Sequence, residues 1–514
     1  MPTLEFKGKN HIYAHHLTVP YRPLQLDESR SLLSEPQRGD TPLTDQNLII
    51  HGDNLEALKA LLPHYAGRVK CIYIDPPYNT GNEGWCYNDN VNSPMMQAWL
   101  EENKSVDGED LERHDKWLCM MWPRLHLLRE LLTDDGVIFI SIDYNEEHHL
   151  RMLMNEVFGE VQYRNTFAVA RVKKNIRERE KIRALNFGYN SVLFYGKSEN
   201  SLIVPPTKFQ EKSVRWHAFD APGIRRNMEY ELFGMKPPEG RHWMYSEDRA
   251  VEMIDAGRLR PNPRSGKPQY LLDESNQTML DTNWTDFQEY DSKFNFPYGE
   301  KNVELLQRLV GMIDDKDAVI LDSFAGSGTT AHAVLALNKE DGGNRRFILV
   351  ECEDYADSIT AERVRRVIQG VPTAKNKQLK EGLGGCFAYC TLGEAIDVDS
   401  LLEGDELPSF SDLASYLLHT ATGVSASSGD LDASGIDGHF YSEGERDYYL
   451  IYEPSLEFLR SGDAALNLER AERIRDRERP AVVFAAAKYI SQSVLTQWNI
   501  TFCQLPYELG LGVS

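Results

Sequence analysis

The chain has 514 residues, a length that accommodates two to four domains of ordinary size. Its 41% hydrophobic and 26% charged residues are typical of a globular protein with a large core. The longest apolar runs, at 136–142 and 481–487, fall well short of the roughly 20 residues that span a bilayer, which excludes an integral membrane protein. The N-terminal residues do not resemble a secretory signal, so we expect a cytoplasmic protein.

The net charge of −23 is unusual for a nucleic-acid-binding protein, which normally carries a basic surface. The charge is unevenly distributed, however. Residues 163–197 contain nine basic and two acidic residues, an excess of +7, whereas residues 391–469 contain seventeen acidic and two basic residues. Because the acidity is concentrated in one C-terminal segment, the total charge does not exclude a nucleic-acid partner.

Short apolar runs alternate with helix-type periodicity from residue 47 onward, after an N-terminal stretch without clear periodicity. Strands that alternate with helices predict a parallel sheet covered on both faces. The predicted elements of this part are strands at 47–51, 69–74 and 137–142 and helices at 55–62, 114–132 and 146–158, with a turn at 133–136.

The alternation lapses after about residue 162 and returns near residue 303. The interruption contains the basic stretch, a strand at 190–195 and a region rich in Pro, Gly and Trp. After it we predict a helix at 303–310, strands at 318–321 and 347–351, and a closing βαβ unit with strands at 481–486 and 500–504. The predicted segments are an N-terminal arm 1–46, the first part of an α/β domain 47–160, an insert 161–290, the second part of the α/β domain 291–375 and a C-terminal domain 376–514.

A glycine-rich turn follows the predicted strand at 318–321 and opens the next helix. It reads Asp322-Ser323-Phe324-Ala325-Gly326-Ser327-Gly328-Thr329-Thr330. Glycines at such a junction let the backbone approach a ligand closely, and the helix N-terminus offers free N–H groups. The motif is neither a Walker A loop, because no Gly-Lys-Ser/Thr follows, nor a complete Rossmann fingerprint. Glu351 ends the next strand, where an acid accepts hydrogen bonds from a ribose, but the turn by itself fits a structural role equally well.

A second motif, Asp75-Pro76-Pro77-Tyr78-Asn79-Thr80-Gly81, also follows a predicted strand. The two prolines fix the backbone and remove two N–H donors, so the segment is rigid and leaves carbonyls unpaired. A carboxylate beside a bare carbonyl forms an acceptor pair for an amino group, and an adjacent tyrosine ring can stack on a flat base. Because a structural turn needs neither the acid nor the ring, this motif favours chemistry on an amine.

Together the two motifs resemble the signature of amino-methylating DNA methyltransferases, which transfer a methyl group from S-adenosylmethionine to an exocyclic amine. Asp75 precedes Asp322 by 247 residues, an order similar to that of the permuted beta-class adenine methyltransferases. The DPPYNTG motif, the length and the C-terminal domain are most similar to the modification subunits of type III restriction systems. The resemblance implies a circularly permuted, Rossmann-like α/β methyltransferase sheet with an inserted target-recognition domain and a C-terminal α/β domain.

The resemblance also implies roles for individual residues. It assigns catalysis to the motif Asp75, Pro76, Pro77 and Tyr78. It places Asp53 near the cofactor adenine, Asp322 near the methionine amino group and Glu351 on the ribose hydroxyls. The segment 294–302 matches the stretch before the glycine motif, although it carries Lys301-Asn302 where the family has Lys-Pro. The full set of cofactor-binding residues for S-adenosylmethionine is Asp53, Asp322, Phe324, Ala325, Gly326, Ser327, Gly328, Thr329 and Glu351.

The proposed acceptor is a poor nucleophile, because the N6 lone pair of adenine is delocalised into the ring. Hydrogen bonds to the Asp75 carboxylate and the Pro76 carbonyl favour a more tetrahedral nitrogen, and the carboxylate stabilises the positive charge that develops on it. The base must leave the duplex to reach this pocket. Cytosine N4 fits the same acceptor pair and remains an alternative, whereas cytosine C5 methylation is excluded because the sequence has no Pro-Cys pair.

The basic stretch and the insert are the expected contacts with double-stranded DNA. Phosphate contacts position DNA without reading its sequence, so the base readers must lie elsewhere in the insert. A solvated helix face is the alternative interpretation of the basic stretch. The candidates for phosphate contacts are Arg171, Lys173, Lys174 and Arg177. Those for guanine edges are Arg225, Arg226, Arg241 and Arg258, and Asn227 is the candidate for an adenine edge.

No metal site is predicted, because His148-His149 has no carboxylate or cysteine partner at ligand spacing and is interpreted as a surface or cap pair. The acidic C-terminal segment would repel DNA, so residues 376–514 are expected to mediate homodimerisation or docking of a restriction or helicase subunit. The chain has no helicase or nuclease signature of its own. A recognition subunit active only with its partner and an RNA methyltransferase remain the alternatives.

Overall fold

The computed structural model of the protein describes residues 3–33, 45–80, 113–171, 185, 187–291, 300–396, 407–426, 431 and 435–505. These residues form two compact units. One consists of the described residues within 1–204 and 282–514, and the other of residues 205–281. No helix in these ranges is both long enough and apolar enough to cross a membrane.

The strands are short, and most lie in the larger unit. In chain order they are β1 (Leu24–Leu26), β2 (Leu48–His51), β3 (Val69–Ile74), β4 (Leu132–Ile142), β5 (Tyr163–Ala170), β6 (Tyr189–Gly196), β7 (Thr207–Lys212), β8 (Arg215–Ala218), β9 (Asp220–Pro222), β10 (Arg241–Trp243), β11 (Leu259–Pro261), β12 (Pro268–Leu272), β13 (Ser275–Met279), β14 (Asn283–Gln288), β15 (Tyr290–Asp291), β16 (Glu300–Lys301), β17 (Val319–Asp322), β18 (Arg346–Glu351), β19 (Ala388–Leu392), β20 (His439–Glu443), β21 (Arg446–Ile451), β22 (Ala465–Leu466), β23 (Ala481–Ala485), β24 (Ala487–Lys488) and β25 (Ile500–Gln504).

The α-helices cover the large sheet and build parts of the other regions. In chain order they are α1 (Lys9–Ile12), α2 (His15–Thr18), α3 (Asn54–Tyr65), α4 (Arg113–Leu131), α5 (Glu147–Phe158), α6 (Glu247–Asp255), α7 (Val303–Val310), α8 (Thr329–Asp341), α9 (Glu362–Gln369), α10 (Lys377–Glu381), α11 (Phe410–Thr422), α12 (Leu456–Leu459), α13 (Leu468–Arg475) and α14 (Gln492–Gln497).

A ten-stranded sheet forms the centre of the larger unit, in the order β1-β19-β2-β18-β17-β3-β4-β6-β5-β14. The six strands from β19 to β4 are mutually parallel. Antiparallel pairing adds β1 beside β19 and β6 beside β4. The predicted α/β fold class with a parallel, methyltransferase-like sheet is therefore confirmed.

Apolar side chains on both faces of the strands explain why this sheet is buried between helix layers. In β3, Ile72 and Ile74 join one core cluster with residues of α3, α4 and α5. The alternate residues Cys71 and Tyr73 join a second cluster with residues of α7, α8 and α9. Because successive side chains of a strand point to opposite faces, each strand contributes to both layers.

The predicted turn at 133–136 lies within β4 instead. Opposite the two-residue step from Val69 to Cys71 in β3, β4 advances five residues from Leu132 to Val137. The extra residues form an irregularity in the strand rather than a connection between elements. The turn-forming residues at 133–136 therefore mark a break in the regular strand pairing. They do not form a separate turn between the helix and the strand.

The segment boundaries also differ from the predicted ones, because strands remote in sequence join the same sheet. β5, β6 and β14 lie within the predicted insert 161–290, yet they pair with the large sheet, and the separate unit covers only 205–281. Likewise β1 belongs to the predicted arm 1–46 and β19 lies beyond residue 375, and both extend the sheet at the β2 side. Non-local pairing of this kind has no signal in local composition.

Residues 205–281 form a small unit of short antiparallel strands and one helix. Its sheets pair β7 with β13, β9 with β10, and β12 with both β8 and β11. The core is built on Phe219 and Trp243, with Met253 of α6 against them. This core is small, as expected for a unit of this length.

The C-terminal region contains a four-stranded sheet in the order β20-β21-β23-β25. β21, β23 and β25 are parallel, and α14 connects the last two, which confirms the predicted βαβ unit. The region packs against the N-terminal part of the same unit, where Tyr21 and Tyr416 stack with ring centroids 4.4 Å apart. Both rings belong to one core cluster with residues of α3 and α11.

Candidate active site

The two sequence motifs lie at the same edge of the large sheet. β17 pairs in parallel with β3 on one side and with β18 on the other. Asp75 follows β3, Asp322 ends β17 and Glu351 ends β18, so all three acids emerge at the carboxyl ends of neighbouring strands. In open α/β sheets this is the edge at which ligands bind.

The backbone of the Asp75–Tyr78 motif is held by a contact as well as by its prolines. The indole Nε1 of Trp117 in α4 donates a hydrogen bond of 2.7 Å to the carbonyl of Pro77. No donor to the carbonyl of Pro76 is found in the described part of the chain. The predicted acceptor pair, the Asp75 carboxylate and the Pro76 carbonyl, is therefore compatible with the structure.

A buried ammonium group lies against this motif. Lys301 Nζ is 3.0 Å from Asp75 Oδ1 and 2.5 Å from Glu289 Oε1. The Lys301 side chain is 7% exposed and that of Glu289 only 1%, whereas that of Asp75 retains 27% exposure. One cation thus lies between two carboxylates, of which only Asp75 is open to an incoming group.

Glu289 is the acceptor of three hydrogen bonds, one of them from this ammonium. It accepts one from Lys301, one of 3.0 Å from the Tyr78 hydroxyl and one from the Asn190 amide. The Lys301 ammonium also contacts the Tyr78 hydroxyl and lies 5.0 Å from the centre of the Tyr78 ring. The tyrosine of the motif is consequently fixed through its hydroxyl group, which leaves the ring orientation set before any base arrives.

Burial and the neighbouring charges shift the pKa values of these groups. Burial raises the pKa of Asp75, the Lys301 ammonium opposes that shift, and Glu289 reinforces it. Burial alone would lower the pKa of Lys301, but Asp75 and Glu289 hold it well above its usual value. Burial and the two carboxylates raise the pKa of Tyr78, which keeps its hydroxyl protonated as a donor.

Asp322 organises the start of the glycine turn. One carboxylate oxygen accepts a hydrogen bond of 3.1 Å from the amide of Phe324, and the other accepts one from the hydroxyl of Thr330. Burial raises the pKa of Asp322 to about 7, against the opposing effect of these two donors. A carboxylate so desolvated has a strong preference for a nearby cation.

Glu351 closes the same turn from the neighbouring strand. Its carboxylate accepts a hydrogen bond of 2.7 Å from the amide of Gly326 and one of 3.1 Å from the amide of Glu353. Burial raises its pKa, and these amides oppose the shift. Gly326 and Gly328 have φ angles of +50° and +75°, a left-handed conformation that favours glycine. The glycines are therefore required by the path of the turn.

A buried arginine, Arg363, contacts both the glycine turn and Glu300, the neighbour of Lys301. We call the group of side chains around Asp75, Tyr78, Glu289 and Lys301 the target pocket. Arg363 of α9 donates hydrogen bonds of 2.7 Å to the Ser327 hydroxyl and 2.9 Å to the Thr329 hydroxyl. The same guanidinium is 3.3 Å from Glu300 Oε2, and the side chains of both are less than 5% exposed. Glu300 precedes Lys301 in β16, so this two-residue strand contacts Asp75 directly and the glycine turn through Arg363.

The predicted cofactor residue Asp53 has a structural role in addition to any role in binding. Its carboxylate caps α3 by accepting hydrogen bonds from the amides of Leu55 and Glu56 at 2.8 and 3.3 Å. Its other oxygen is 3.5 Å from a guanidinium nitrogen of Arg124. The next residue, Asn54, donates to the carbonyl of Ser323, which brings the start of α3 beside the glycine turn.

The predicted DNA-binding residues that the structure describes belong to two different units. Arg171 is partly buried just after β5 in the larger unit. Arg225 and Arg226 are exposed in the small unit, at a short 3₁₀ turn. The other predicted phosphate contacts, Lys173, Lys174 and Arg177, lie outside the described residues.

Sequence reasoning missed most of the partners that complete the target pocket. Glu289 and Asn190 belong to no motif, and Lys301 was assigned to the cofactor side rather than to Asp75. Glu289 is separated from Tyr78 by 211 residues, so no local spacing relates the two. Arg363 was also missed, since a single arginine in an amphipathic helix resembles an exposed residue.

The interpretation of His149 as a surface or cap residue without a carboxylate partner is wrong. Glu146 lies between His114 and His149, with N–O distances of 2.5 and 2.7 Å. These three side chains are the one group of potential metal ligands found among the described residues. Glu146 lies only three residues before His149, so this partner was within local spacing and was overlooked, whereas His114 is 32 residues away in sequence.

Replacement of Lys301 by methionine should destabilise the protein in a pH-dependent way. It leaves Asp75 and Glu289 buried without a cation, which we expect to cost about 3–5 kcal/mol at pH 8. Without the ammonium the pKa of Asp75 rises further, so the folded variant takes up a proton on acidification. The loss in free energy of unfolding therefore diminishes towards pH 5. Urea unfolding at both pH values measures this difference.

The matched control is Lys316→Met, because Lys316 is 60% exposed and its ion pair with Asp341 spans 3.8 Å. This change should alter the free energy of unfolding by no more than about 1 kcal/mol at either pH. An equal loss for both variants, or a loss for Lys301→Met that does not change with pH, would contradict the role of Lys301 as a counter-ion.

Comparison with protein families gives a match over the region that carries both motifs. A family model described as "DNA methylase", for N6 and N4 methyltransferases, matches residues 69–362, which is more than half of the chain. The matched region begins at the start of β3, before Asp75, and ends at the first residue of α9, directly before Arg363.

Similar curated proteins include two type III subunits and a type II enzyme. The Mod subunit of the type III enzyme StyLTI from Salmonella typhimurium (strain LT2) is 32% identical and aligns with 66% of this chain and 59% of its own length. The EcoPI Mod subunit of Escherichia phage P1 is 28% identical, over 66% and 64%. The type II methyltransferase M.KpnI of Klebsiella pneumoniae is 29% identical, over 66% and 88%.

The chain thus spans about three fifths of the length of these two type III relatives. The family match covers the sheet edge where the DPPY motif and the glycine turn meet, which confirms the resemblance found in the two motifs. With that geometry and a match over more than half of its residues, this chain belongs to the DNA methylase family.

Proposed function

We propose that this protein is a site-specific DNA methyltransferase that methylates the N6 amino group of a flipped adenine. We further propose that it is the modification subunit of a type III-like restriction-modification or phage-defence system. The observation that carries the proposal is the adjacency of β3 and β17, which brings an acceptor pair for an amine beside a glycine turn with two acids. Family membership and the names of the Mod relatives support it.

S-adenosylmethionine is the proposed cofactor, and when bound it supplies a methyl group attached to a sulfonium leaving group. The residues fit this group. Asp322 and Glu351 offer two desolvated carboxylates, suited to an amino group and to ribose hydroxyls. Directly after Asp322, the buried hydroxyl of Ser323 has no hydrogen-bond partner among the described residues, as expected for a polar group beside a ligand. Asp53 lies at the adjoining start of α3, 3.5 Å from a guanidinium nitrogen of Arg124 in α4.

The catalytic role that we assign to Asp75 follows from its position and charge. Its carboxylate and the Pro76 carbonyl would accept the two N–H groups of the target amine, and the carboxylate would stabilise the cation that forms on nitrogen. Lys301 opposes the rise in the pKa of Asp75 and therefore favours the charged form. Lys301 also fixes the carboxylate through a 3.0 Å ion pair, which limits reorganisation during the reaction.

Tyr78 is the residue that we expect to stack on the flipped base. Its hydroxyl is bound by Glu289 and Lys301, so its ring is held in one orientation beside Asp75. Stacking on a fixed ring would offset part of the few kcal/mol needed to unstack a base. An aspartate at position 75 favours adenine in the family that the motif resembles. Cytosine N4 is the competing target, because its amine would suit the same acceptors.

A methylation assay tests the proposed reaction directly. The purified protein, isotope-labelled S-adenosylmethionine and unmethylated genomic DNA should yield labelled N6-methyladenine by nucleoside mass spectrometry. Asp75→Asn should reduce the rate at least 100-fold, because it removes the charge that stabilises the cationic nitrogen, while cofactor binding stays within threefold. Labelled N4-methylcytosine would identify the other amine as the target.

The control for this variant is Asp286→Asn, an exposed carboxylate that pairs with Arg308 outside the pocket. This control should retain the wild-type rate. Absence of label with intact cofactor binding, even after the addition of candidate partner subunits, would contradict the proposal.

Double-stranded DNA is the proposed substrate, with Arg171, Lys173, Lys174 and Arg177 on its phosphates and Arg225 and Arg226 as base readers. Neutralising Lys173, Lys174 and Arg177 should weaken DNA binding and reduce the steepness of its salt dependence by roughly 2–3 in log–log slope, because three phosphate contacts are lost. Fluorescence anisotropy over a range of salt concentrations measures this slope. An unchanged slope would assign the stretch to a solvated surface.

The acidic C-terminal region is the proposed interface for a second copy of the chain or for a restriction subunit. Within the predicted residues 376–514, β19 belongs to the large sheet, so we limit the interface to residues after 396. Exposed acids there, such as Glu443, Glu445 and Glu453, suit a basic protein surface. We propose that the protein acts in the cytoplasm.

Charge reversal tests this interface in the intact chain, which avoids exposing the buried contact between Tyr21 and Tyr416. The triple variant Glu443→Lys, Glu445→Lys, Glu453→Lys should weaken self-association by at least tenfold in sedimentation velocity experiments. A matched triple change at exposed acids of the small unit, Glu229, Glu231 and Glu239, is the control. Equal self-association of both variants and the wild type would rule out this surface as a dimer interface.

A further inference from the structure

Asn79 directly follows the catalytic motif and has an unusual environment. Its φ angle is +55°, in the left-handed region that non-glycine residues rarely adopt, and it is buried. Its side-chain amide donates to the carbonyl of Arg113 at 3.1 Å and to Glu146 Oε1 at 2.5 Å. The conformation of the loop beyond Tyr78 therefore depends on acceptors supplied by other elements.

Glu146 is the centre of this arrangement. Its side chain has no solvent exposure and lies directly before α5. His114 Nδ1 and His149 Nδ1 each contact one of its two oxygens, at 2.5 and 2.7 Å, and the Asn79 amide shares the oxygen of His114. A buried carboxylate is tolerated when donors replace its lost hydration, and three N–H groups serve that purpose here.

We propose that Glu146 is a positioning residue that holds the catalytic loop through Asn79. The inference rests on the proposed function, since the loop that it holds is the one that carries Asp75 and Pro76. His114 and His149 orient the carboxylate from two sides, one from α4 and one from α5. The Asn79 amide is then fixed in the only direction that satisfies both of its acceptors.

The same helix holds the motif at a second point. Trp117 lies one turn after His114 in α4 and donates to the Pro77 carbonyl. α4 and α5 pack into one core cluster with the strands of the large sheet, so the supports of the loop belong to the rigid part of the unit. A loop fixed at Pro77 and Asn79 leaves the intervening Tyr78 little freedom. Loss of the second support should let the acceptor pair move by a fraction of an ångström, which is enough to slow a positioned reaction.

Hydrogen bonding explains this cluster better than a metal ion does. The two N–O separations of 2.5 and 2.7 Å are hydrogen-bond lengths. Ligands about 2.0–2.1 Å from a zinc ion in a tetrahedron lie roughly 3.3 Å apart, so an ion would require the three side chains to separate. The Asn79 amide, a donor, also occupies one carboxylate oxygen. A bound metal is therefore an alternative that the test must distinguish.

The experiment compares Glu146→Gln with Glu147→Gln, the same change at the adjacent, partly exposed residue. We call Glu146 and its three donors, Asn79, His114 and His149, the hub. Glutamine presents an N–H group where one of these donors needs an acceptor, so the hub loses at least one hydrogen bond. We expect kcat to fall about 100-fold, with KM for S-adenosylmethionine within twofold of the wild type. Amide hydrogen exchange in the peptide that covers Tyr78 to Thr80 should accelerate at least tenfold. Glu147→Gln should change none of these values.

Asn79→Ala provides a second route if Glu146→Gln folds poorly. Asn79→Ala should reproduce the loss of kcat. The double variant should be no slower than the slower single variant, because both changes break the same contact, that between Asn79 and Glu146. Full additivity of the two losses would overturn the proposal. So would wild-type kcat and wild-type exchange in Glu146→Gln.

Metal analysis of the purified full-length chain completes the test. A stoichiometric divalent metal that is lost in His149→Ala would show a metal centre in place of the hydrogen-bonded hub and overturn the proposal. Absence of such a metal, with kcat unchanged after dialysis against a chelator, supports the proposal. Hydrogen exchange does not depend on activity. If the wild type methylates no DNA, the proposed function fails, whereas slower exchange in the wild type than in Glu146→Gln still supports the hub.

Discussion

The buried ammonium of Lys301 is the constraint on which the geometry of the site depends. Two carboxylates, Asp75 and Glu289, converge on it from chain segments that are more than 200 residues apart. Neither carboxylate tolerates burial next to the other without a cation, and the ammonium tolerates burial only with anionic partners. The three groups therefore stabilise one arrangement, in which the strand end after β3 and the segment around β15 and β16 have fixed positions.

The effect of this constraint extends to the glycine turn because Lys301 and its neighbour Glu300 together make up the two-residue strand β16. Lys301 faces the Asp75 motif, and its neighbour Glu300 pairs with Arg363, which binds two hydroxyls of the glycine turn. Two motifs separated by 247 residues are thus connected by a pair of consecutive side chains. Parallel pairing of β3 and β17 brings the motifs to one edge, and the buried charges then determine how they are oriented. In a methyl transfer between two bound groups, such pre-organisation is the contribution that the protein must supply.

The sequence was sufficient to predict the parts of this structure that have a local pattern. β3 and α7 are found at the predicted residues, because a buried strand and an amphipathic helix each have a characteristic periodicity. The chemistry of the Asp75–Tyr78 motif was equally apparent, since prolines, acid and aromatic ring are adjacent. Glu289 and Arg363 were not apparent, because an isolated charged residue has no pattern and its burial depends on partners remote in sequence. Glu146 was overlooked although His149 follows it by three residues. The pairing of β5, β6 and β14 with the large sheet was not apparent either, because local composition does not reveal which strands join a sheet.

A poor nucleophile places a strict demand on the groups that bind it, because its acceptors must be in position before the reaction starts. In this protein the proposed catalytic loop is restrained by several independent contacts. Two prolines restrict the backbone, Trp117 fixes the Pro77 carbonyl, and Lys301 fixes the Asp75 carboxylate. Of these, only the prolines are part of the motif itself. The motif therefore specifies which bonds can form, whereas residues on α4 and β16 determine whether the acceptors are held where those bonds need them. A chain that kept the DPPY residues but lost these supports would retain the chemical groups of a methyltransferase without their geometry.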